Sequence, residues 1–165
     1  MLPIEIVPSR AFGDGKHETT QMCLKALAVF APRCAYRMLD VGSGSGILSI
    51  AAAKCGGVAV GVEIDRAAIE AARENARRNG VEARVAFGTE WPEGVFDVVV
   101  ANILRDVLLE LAPRIVACLA NDGLLVLSGV VSTDVPAIIA RYSPLCGDRR
   151  PEIFERGVWR TLVWR

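Results

Sequence analysis

The sequence predicts an open α/β sandwich, a mostly parallel seven-stranded sheet carrying helices and closed at one edge by an antiparallel hairpin. Three observations predict it. Short apolar runs alternate along the chain with stretches of helical pattern, as parallel strands joined by crossover helices require. One run, YRMLDV at 36–41, breaks into glycines at alternate positions and then enters the helical pattern ILSIAAAK. The last run, IFERGVWRTLVW at 153–164, reads as two strands turning at Gly157.

The elements follow in order. A helix is predicted over 17–31 and ends at Pro32, which has no amide to continue the hydrogen-bond ladder. The strand at 36–41 passes through GSGSG into a helix over 47–54. VAVGVE at 58–63 is the next strand, and Asp65 then stands as N-cap of an alanine-rich helix that stops near Asn79 and Gly80. A strand around ARVAF, 83–87, precedes the loop GTEWPEG. FDVVVAN at 96–102 is continuously apolar, as in a parallel strand buried on both faces. The helix predicted over 104–119 contains Pro113, expected to kink or break it. GLLVLSGVV at 123–131 is a further strand, 135–141 a short helix, and the tail supplies the antiparallel edge.

Composition narrows the function. At 165 residues the chain fits one domain that buries roughly two-thirds of its unfolded surface. Lysine plus arginine equals aspartate plus glutamate, 19 of each, so no global positive field draws it to nucleic acid and no direct nucleic-acid contact is expected. Only the final segment, with Arg149, Arg150, Arg156, Arg160 and Arg165, is locally basic, and it reads as a solvated edge. The five cysteines are odd in number and widely spaced, mostly inside apolar helical patterns; they read as buried thiols of a reducing cytoplasm, and no pair has metal spacing. The longest nearly apolar stretch, 47–62, is interrupted by Lys54 and too short to span a bilayer. The first residues lack the basic-then-apolar order of a signal peptide. A cytoplasmic protein without membrane contact is the expectation.

Gly42, Gly44 and Gly46 can take backbone angles closed to other residues and leave no Cβ in the way, so a ligand can lie against the main chain where the next helix begins. Glu63 closes the following strand, where a carboxylate can accept hydrogen bonds from both hydroxyls of a ribose. Together they point to an adenosine-containing cofactor. A dinucleotide fingerprint needs a small residue at position 47 so that helix and strand pack closely around a pyrophosphate; Ile47 stands there instead. The G-x-G-x-G form fits S-adenosylmethionine, which carries no phosphate.

At this point the chain resembles a known family. AFGDGKHETT at 11–20, LDVGSGSGILSIAAAK at 39–54, GVEID at 61–65, DVVVANIL at 97–104 and LSGV at 127–130 look like the catalytic domain of PrmA, the bacterial methyltransferase of ribosomal protein L11. The resemblance covers nearly the whole chain. It implies a class I, Rossmann-like methyltransferase fold, S-adenosylmethionine as cofactor and amine nitrogens as acceptors. The family's cofactor contacts fall on Thr20, Gly42, Glu63 and Asn102, with Glu63 standing where the family usually has aspartate. Phe12, His17, Asp40, Gly44, Gly46, Ile64 and Thr89 complete the expected cofactor set. In the family the segment from Phe12 to Thr20 closes over the cofactor, which would place the Thr20 hydroxyl near the methionine carboxylate; on residues alone, Thr19 or Thr20 would cap the helix. His17, the only histidine, is read as positioning and not as a base. Asp40 could orient the cofactor's ammonium through water or bond the loop, and Asp65 is read first as a cap. Asp14 departs from the family's threonine. Trp91, Thr89 and Glu90 are candidates beside the adenine, whereas Trp159 and Trp164 read as packing or rim residues.

ANIL would carry the transfer. Methyl donation is an in-line displacement at a carbon activated by a sulfonium, so alignment, desolvation and hydrogen bonds to the nucleophile are the protein's share. Asn102 is the catalytic candidate, holding an amine with its lone pair toward the methyl group, and Ile103 and Leu104 are substrate contacts. Many enzymes that methylate bases or glutamine carry Asn-Pro-Pro-aromatic here, so a flat acceptor sandwiched by an aromatic ring is disfavoured. The family has a separate N-terminal recognition domain, while this chain opens at MLPIEIVPSR just ahead of the covering segment. The expected organisation is one catalytic domain over 1–165, with 1–20 covering the cofactor. The acceptor stays open between a protein, ribosomal or other, and a small amine.

Overall fold

The computed structural model describes residues 3–7 and 15–165. Five helices and seven strands follow in the order α1 (Glu18–Phe30), β1 (Arg37–Val41), α2 (Ile47–Lys54), β2 (Val58–Val62), α3 (Arg66–Arg78), β3 (Val85–Gly88), β4 (Phe96–Asn102), α4 (Arg105–Ala117), β5 (Leu119–Val131), α5 (Val135–Tyr142), β6 (Glu152–Arg156) and β7 (Trp159–Trp164). They make one sheet in the order β3-β2-β1-β4-β5-β7-β6. Strands β1 to β5 pair in parallel, and β7 runs antiparallel to both β5 and β6. The chain leaves β1 toward β2 and later returns to β1's other side as β4, so the strand order reverses between them and opens a crevice beyond their carboxyl ends.

Period-two alternation builds two cores from the same strands. Leu39, Val99, Leu125 and Leu127 face α4 and α5, where Leu108, Ala112, Ile115, Ile138 and Tyr142 are buried against them. Their neighbours Met38, Val98, Val100, Leu124 and Val126 face Cys23, Ala26 and Leu27 of α1 and Leu48 and Ala52 of α2. A third cluster joins α2, α3 and Phe87 of β3. Residues 3–7 lie along α2 and α3: the Glu5 amide donates to Asn79 Oδ1 at 3.0 Å, and Lys54 Nζ donates to the Pro3 carbonyl at 2.7 Å.

Several expectations need correction. Helix α1 begins at Glu18, and its cap is His17, whose side chain accepts from the Thr19 amide; neither threonine is the cap. The strand expected from 83 begins at Val85, after a 3₁₀ turn over Glu82–Arg84. Leu119, expected in a helix, opens β5 by pairing with Phe96, a long-range contact with a register shift that no local pattern announces. Helix α4 runs through Pro113 without a break. Proline removes the amide that would bond the Leu109 carbonyl one turn back. Arg141 Nε of α5 donates to that carbonyl at 3.2 Å, and Tyr142 Oη donates to the neighbouring Leu108 carbonyl at 2.7 Å.

Four of the five arginines of the tail are tied into the fold: Arg156 pairs with Glu18, Arg160 with Glu155 and Arg165 with Glu152, and Arg149 Nε donates to the Cys146 carbonyl. Cys23, Cys118 and Cys146 are buried thiols, but Cys34 and Cys55 are exposed because they sit in the turns that follow α1 and α2. Among the described residues, no helix is long and apolar enough to cross a membrane, and no group of His, Cys, Asp and Glu could hold a metal ion.

Candidate cofactor site and active centre

A cavity of about 540 Å³ opens at the crevice between β1 and β4. Its floor is the glycine turn. Gly42, Gly44 and Gly46 all have positive φ, 74°, 50° and 79°. Gly42 and Gly44 line the cavity. A Cβ on Gly42 would stand 2.2 Å from Ile103 Cγ2, so this glycine also admits the residue after Asn102. Gly46, expected in the cofactor set, does not line the cavity. It is the left-handed residue opening α2, and a Cβ there would meet Phe87 at 2.8 Å and Ala72 at 3.0 Å, so its bareness serves packing.

Glu63 stands on the adjacent wall with its carboxylate fully oriented. Oε2 accepts from the Gly44 amide at 3.0 Å, and Oε1 accepts from the amides of Ile64 at 2.8 Å and Asp65 at 3.0 Å. A carboxylate offers about four acceptor directions. With three filled by main chain, one direction stays open toward a ligand hydroxyl. Ile64 projects beside it, 90% exposed, an apolar lip at the mouth. Asp65 lines the same wall and caps α3, accepting from the Ala67 amide at 2.9 Å.

Across the cavity lie Asn102, Ile103 and Leu104, together with Gly129 of β5 and Trp159 of β7. Gly129 has φ 81°, and a Cβ there would sit 2.5 Å from the Ile103 carbonyl and 3.3 Å from Asn102 Oδ1, so only glycine lets β5 approach the end of β4 this closely. His17 closes the third side. Its Nδ1 bonds Thr19 Oγ1 at 2.8 Å, and its ring meets Trp159 edge-on at 5.2 Å between centroids. Trp91 lines the far end under the Arg114 guanidinium, 4.4 Å from the ring centre.

Three other residues of the expected cofactor set stand off the cavity lining, each for a structural reason. One residue of helix is about 100° of rotation, so Thr19 and not Thr20 lines the cavity; the Thr20 hydroxyl is buried without a hydrogen-bond partner among the described residues. Asp40 is wholly buried on the α1 and α2 side of β1, where Oδ2 accepts from Ser49 Oγ at 2.8 Å. Burial pushes its carboxyl up to about 6 against the hydrogen bonds from Ser49, and the charge of Glu63 adds to the rise. Thr89 and Glu90 are exposed and stand away from the lining. Phe12 and Asp14 lie outside the described residues. Residues 3–7 dock on α2 and α3, so this part of the 1–20 segment does not cover the cavity. Gly129 and Trp159 were missed as site residues: a glycine inside an apolar strand was the available signal for the first, and the second arrives only through the β5–β7 pairing.

The lining fits an adenosyl cofactor without phosphate. Its volume is that of a small-molecule site. Among the described residues no lysine or arginine lines it, while Glu63 and Asp65 do. A pyrophosphate would face two carboxylates with no cation; a ribose and a sulfonium would not be repelled.

The profile of the family described as "Ribosomal protein L11 methyltransferase (PrmA)" matches residues 1–165. The chain belongs to the PrmA family. The ribosomal protein L11 methyltransferase of Thermus thermophilus is 40% identical over 99% of this chain and 65% of that protein. That of Dechloromonas aromatica is 49% identical over 82% of this chain and 46% of that protein. The crystal structure of ribosomal protein L11 methylase from Lactobacillus delbrueckii subsp. bulgaricus superposes with a TM-score of 0.86 at 32% identity, over 97% of this chain and 83% of that one. The fold is the class I, Rossmann-like methyltransferase sheet. The chain thus spans about half to two thirds of the length of these curated PrmA relatives.

Proposed function

We propose that this chain transfers a methyl group from S-adenosylmethionine to an amine nitrogen of a ribosomal protein. One observation carries the proposal: Glu63 on one wall and the Asn102 carboxamide on the other face a single cavity floored by the bare main chain of Gly42 and Gly44. The proposed unit is a catalytic domain spanning 1–165 that acts in the cytoplasm.

When bound, the cofactor supplies a methyl carbon already activated by its sulfonium. Glu63 would accept from a ribose hydroxyl through its free acceptor direction, and Ile64 would cover the adenine side. Gly42 and Gly44 let the ligand lie against the backbone. His17, held by Thr19 and Trp159, keeps its side of the mouth in place. Asn102 Oδ1 accepts a hydrogen bond from the incoming amine and turns its lone pair inward. Ile103, Leu104, Val107 and Trp159 exclude water around that nitrogen. Desolvation matters, because a lysine amine of pKa about 10.4 attacks only when neutral and an apolar, cation-adjacent site favours that form.

Incubation with methyl-labelled cofactor and a ribosomal protein extract tests the proposal. Label is expected on lysine or N-terminal amines of one ribosomal protein. Asn102→Ala should lower the rate at saturating cofactor by about two orders of magnitude, as for removal of a positioned hydrogen bond at the reacting atom, a loss larger than any weakening of cofactor affinity. Cofactor binding without any label transfer would reduce the chain to a binding module, and label on a small amine alone would move the acceptor class.

A further inference from the structure

Asn75 of α3 has a wholly buried side chain and lines no part of the cavity, yet its carboxamide is used at both ends. Nδ2 donates to the Ser45 carbonyl in the glycine turn at 2.9 Å, and Oδ1 accepts from the Val7 amide at 3.0 Å. Those two partners fix which atom is which, since a carbonyl needs a donor and an amide an acceptor. No ionised carboxylate and no hydrocarbon of this size can do both. Ser45 sits between Gly44, whose amide orients Glu63, and Gly46, which opens α2 in the left-handed region. Holding the Ser45 carbonyl fixes the peptide plane between these two glycines. On the other side, residues 3–7 form a strap whose Ile4 and Ile6 pack on the cores beneath α1, α2 and α3, and Asn79 binds Glu5 through both its amide and its carbonyl at 3.0 and 2.7 Å.

We infer that Asn75 is a positioning residue that couples docking of the 3–7 strap to the shape of the glycine turn, and through Gly44 to the affinity of the cavity. The coupling to affinity rests on the cofactor reading above; the coupling to turn geometry does not.

Two variants test the latch. Val7→Pro deletes the donor to Oδ1 without touching Asn75 or the cavity, and Asn75→Leu removes both bonds while keeping the bulk of the side chain. Hydrogen exchange on ligand-free protein should show the amides of Gly46 and Ile47 exchanging faster in both, with those of α4 unchanged as the control for general loosening. Calorimetry with S-adenosylhomocysteine should show Val7→Pro weakening affinity about fivefold, the effect of one buried hydrogen bond. The double variant should bind like Asn75→Leu alone, because both act through one latch. In the transfer assay, Val7→Pro should raise KM for the cofactor and leave kcat at saturation. Unchanged exchange at Gly46 and Ile47 in Val7→Pro, or losses of affinity that multiply in the double variant, would overturn the inference. Failure of the unaltered protein to bind S-adenosylhomocysteine would sink the cofactor reading instead, and the exchange data would still decide the latch.

Discussion

Asp40 shows what one residue does under the site. It is buried beside the glycine turn with Ser49 as its hydrogen-bond partner, and its carboxyl is raised to about 6 chiefly by burial. A carboxyl whose folded pKa lies above its unfolded value binds more protons folded than unfolded, so its contribution is complete below about pH 4 and is lost as pH rises through about 6. Between those limits the unaltered protein should lose stability relative to Asp40→Asn at up to about 1.4 kcal/mol per pH unit. Urea unfolding of both proteins across that window measures the difference; parallel profiles would show that Asp40 does not titrate there. At this scale the sequence was readable wherever a residue acts through its own backbone or charge, as with Gly42, Gly44, Glu63 and Asn102, all of which line one cavity. It was not readable where helical rotation decides, as for Thr19 against Thr20, or where another strand supplies the residue, as for Trp159.

The same contrast governs elements. Local periodicity places the strands of 36–41 and 96–102 and the hairpin, because each carries its own pattern. The start of β5 escaped it: the helical pattern carries to 119 and the strand pattern opens at 123, yet Leu119 is already paired with Phe96 across the sheet. Helix α4 illustrates how tertiary contact overrides propensity. Pro113 leaves the Leu109 carbonyl without its helical amide, and Arg141 of α5 supplies a donor in its place. Two consequences follow for unfolding experiments. Pro113→Ala should stabilise by about 1–2 kcal/mol, since a helix-interior proline costs about 3 and part of that is offset by the stiffer unfolded chain. Arg141→Met should cost about 1 kcal/mol in the unaltered protein and clearly less beside Pro113→Ala, where the carbonyl regains its helical partner. Additive effects in this cycle would mean that the arginine acts by packing and not by replacing the lost bond.

At the scale of the whole molecule, function follows from strand order. Nothing in the periodicity of single segments states that β4 lies beside β1. That order follows from right-handed crossovers laid first to one side and then to the other, and it opens the ligand crevice at their junction. The fold alone would serve a dinucleotide as well as an adenosyl sulfonium, so the discrimination must come from what this chain hangs around the crevice. Ile47 occupies the position where a dinucleotide site needs a small side chain, and the lining offers Glu63 and Asp65 with no lysine or arginine among the described residues. Such a wall opposes a pyrophosphate and favours a cation. S-Adenosylhomocysteine, which keeps the ribose and carries no phosphate, should at about a hundredfold its Kd stabilise the protein by about 2.7 kcal/mol, which for a domain of this size raises Tm by roughly 5–10 °C. NAD at the same concentration should leave Tm where it was. Glu63→Gln keeps the side chain's length but weakens its hold on the amides of Gly44, Ile64 and Asp65, and should shrink the S-adenosylhomocysteine shift by more than half without creating one for NAD. A shift with NAD equal to that with S-adenosylhomocysteine would show that the lining does not select the ligand.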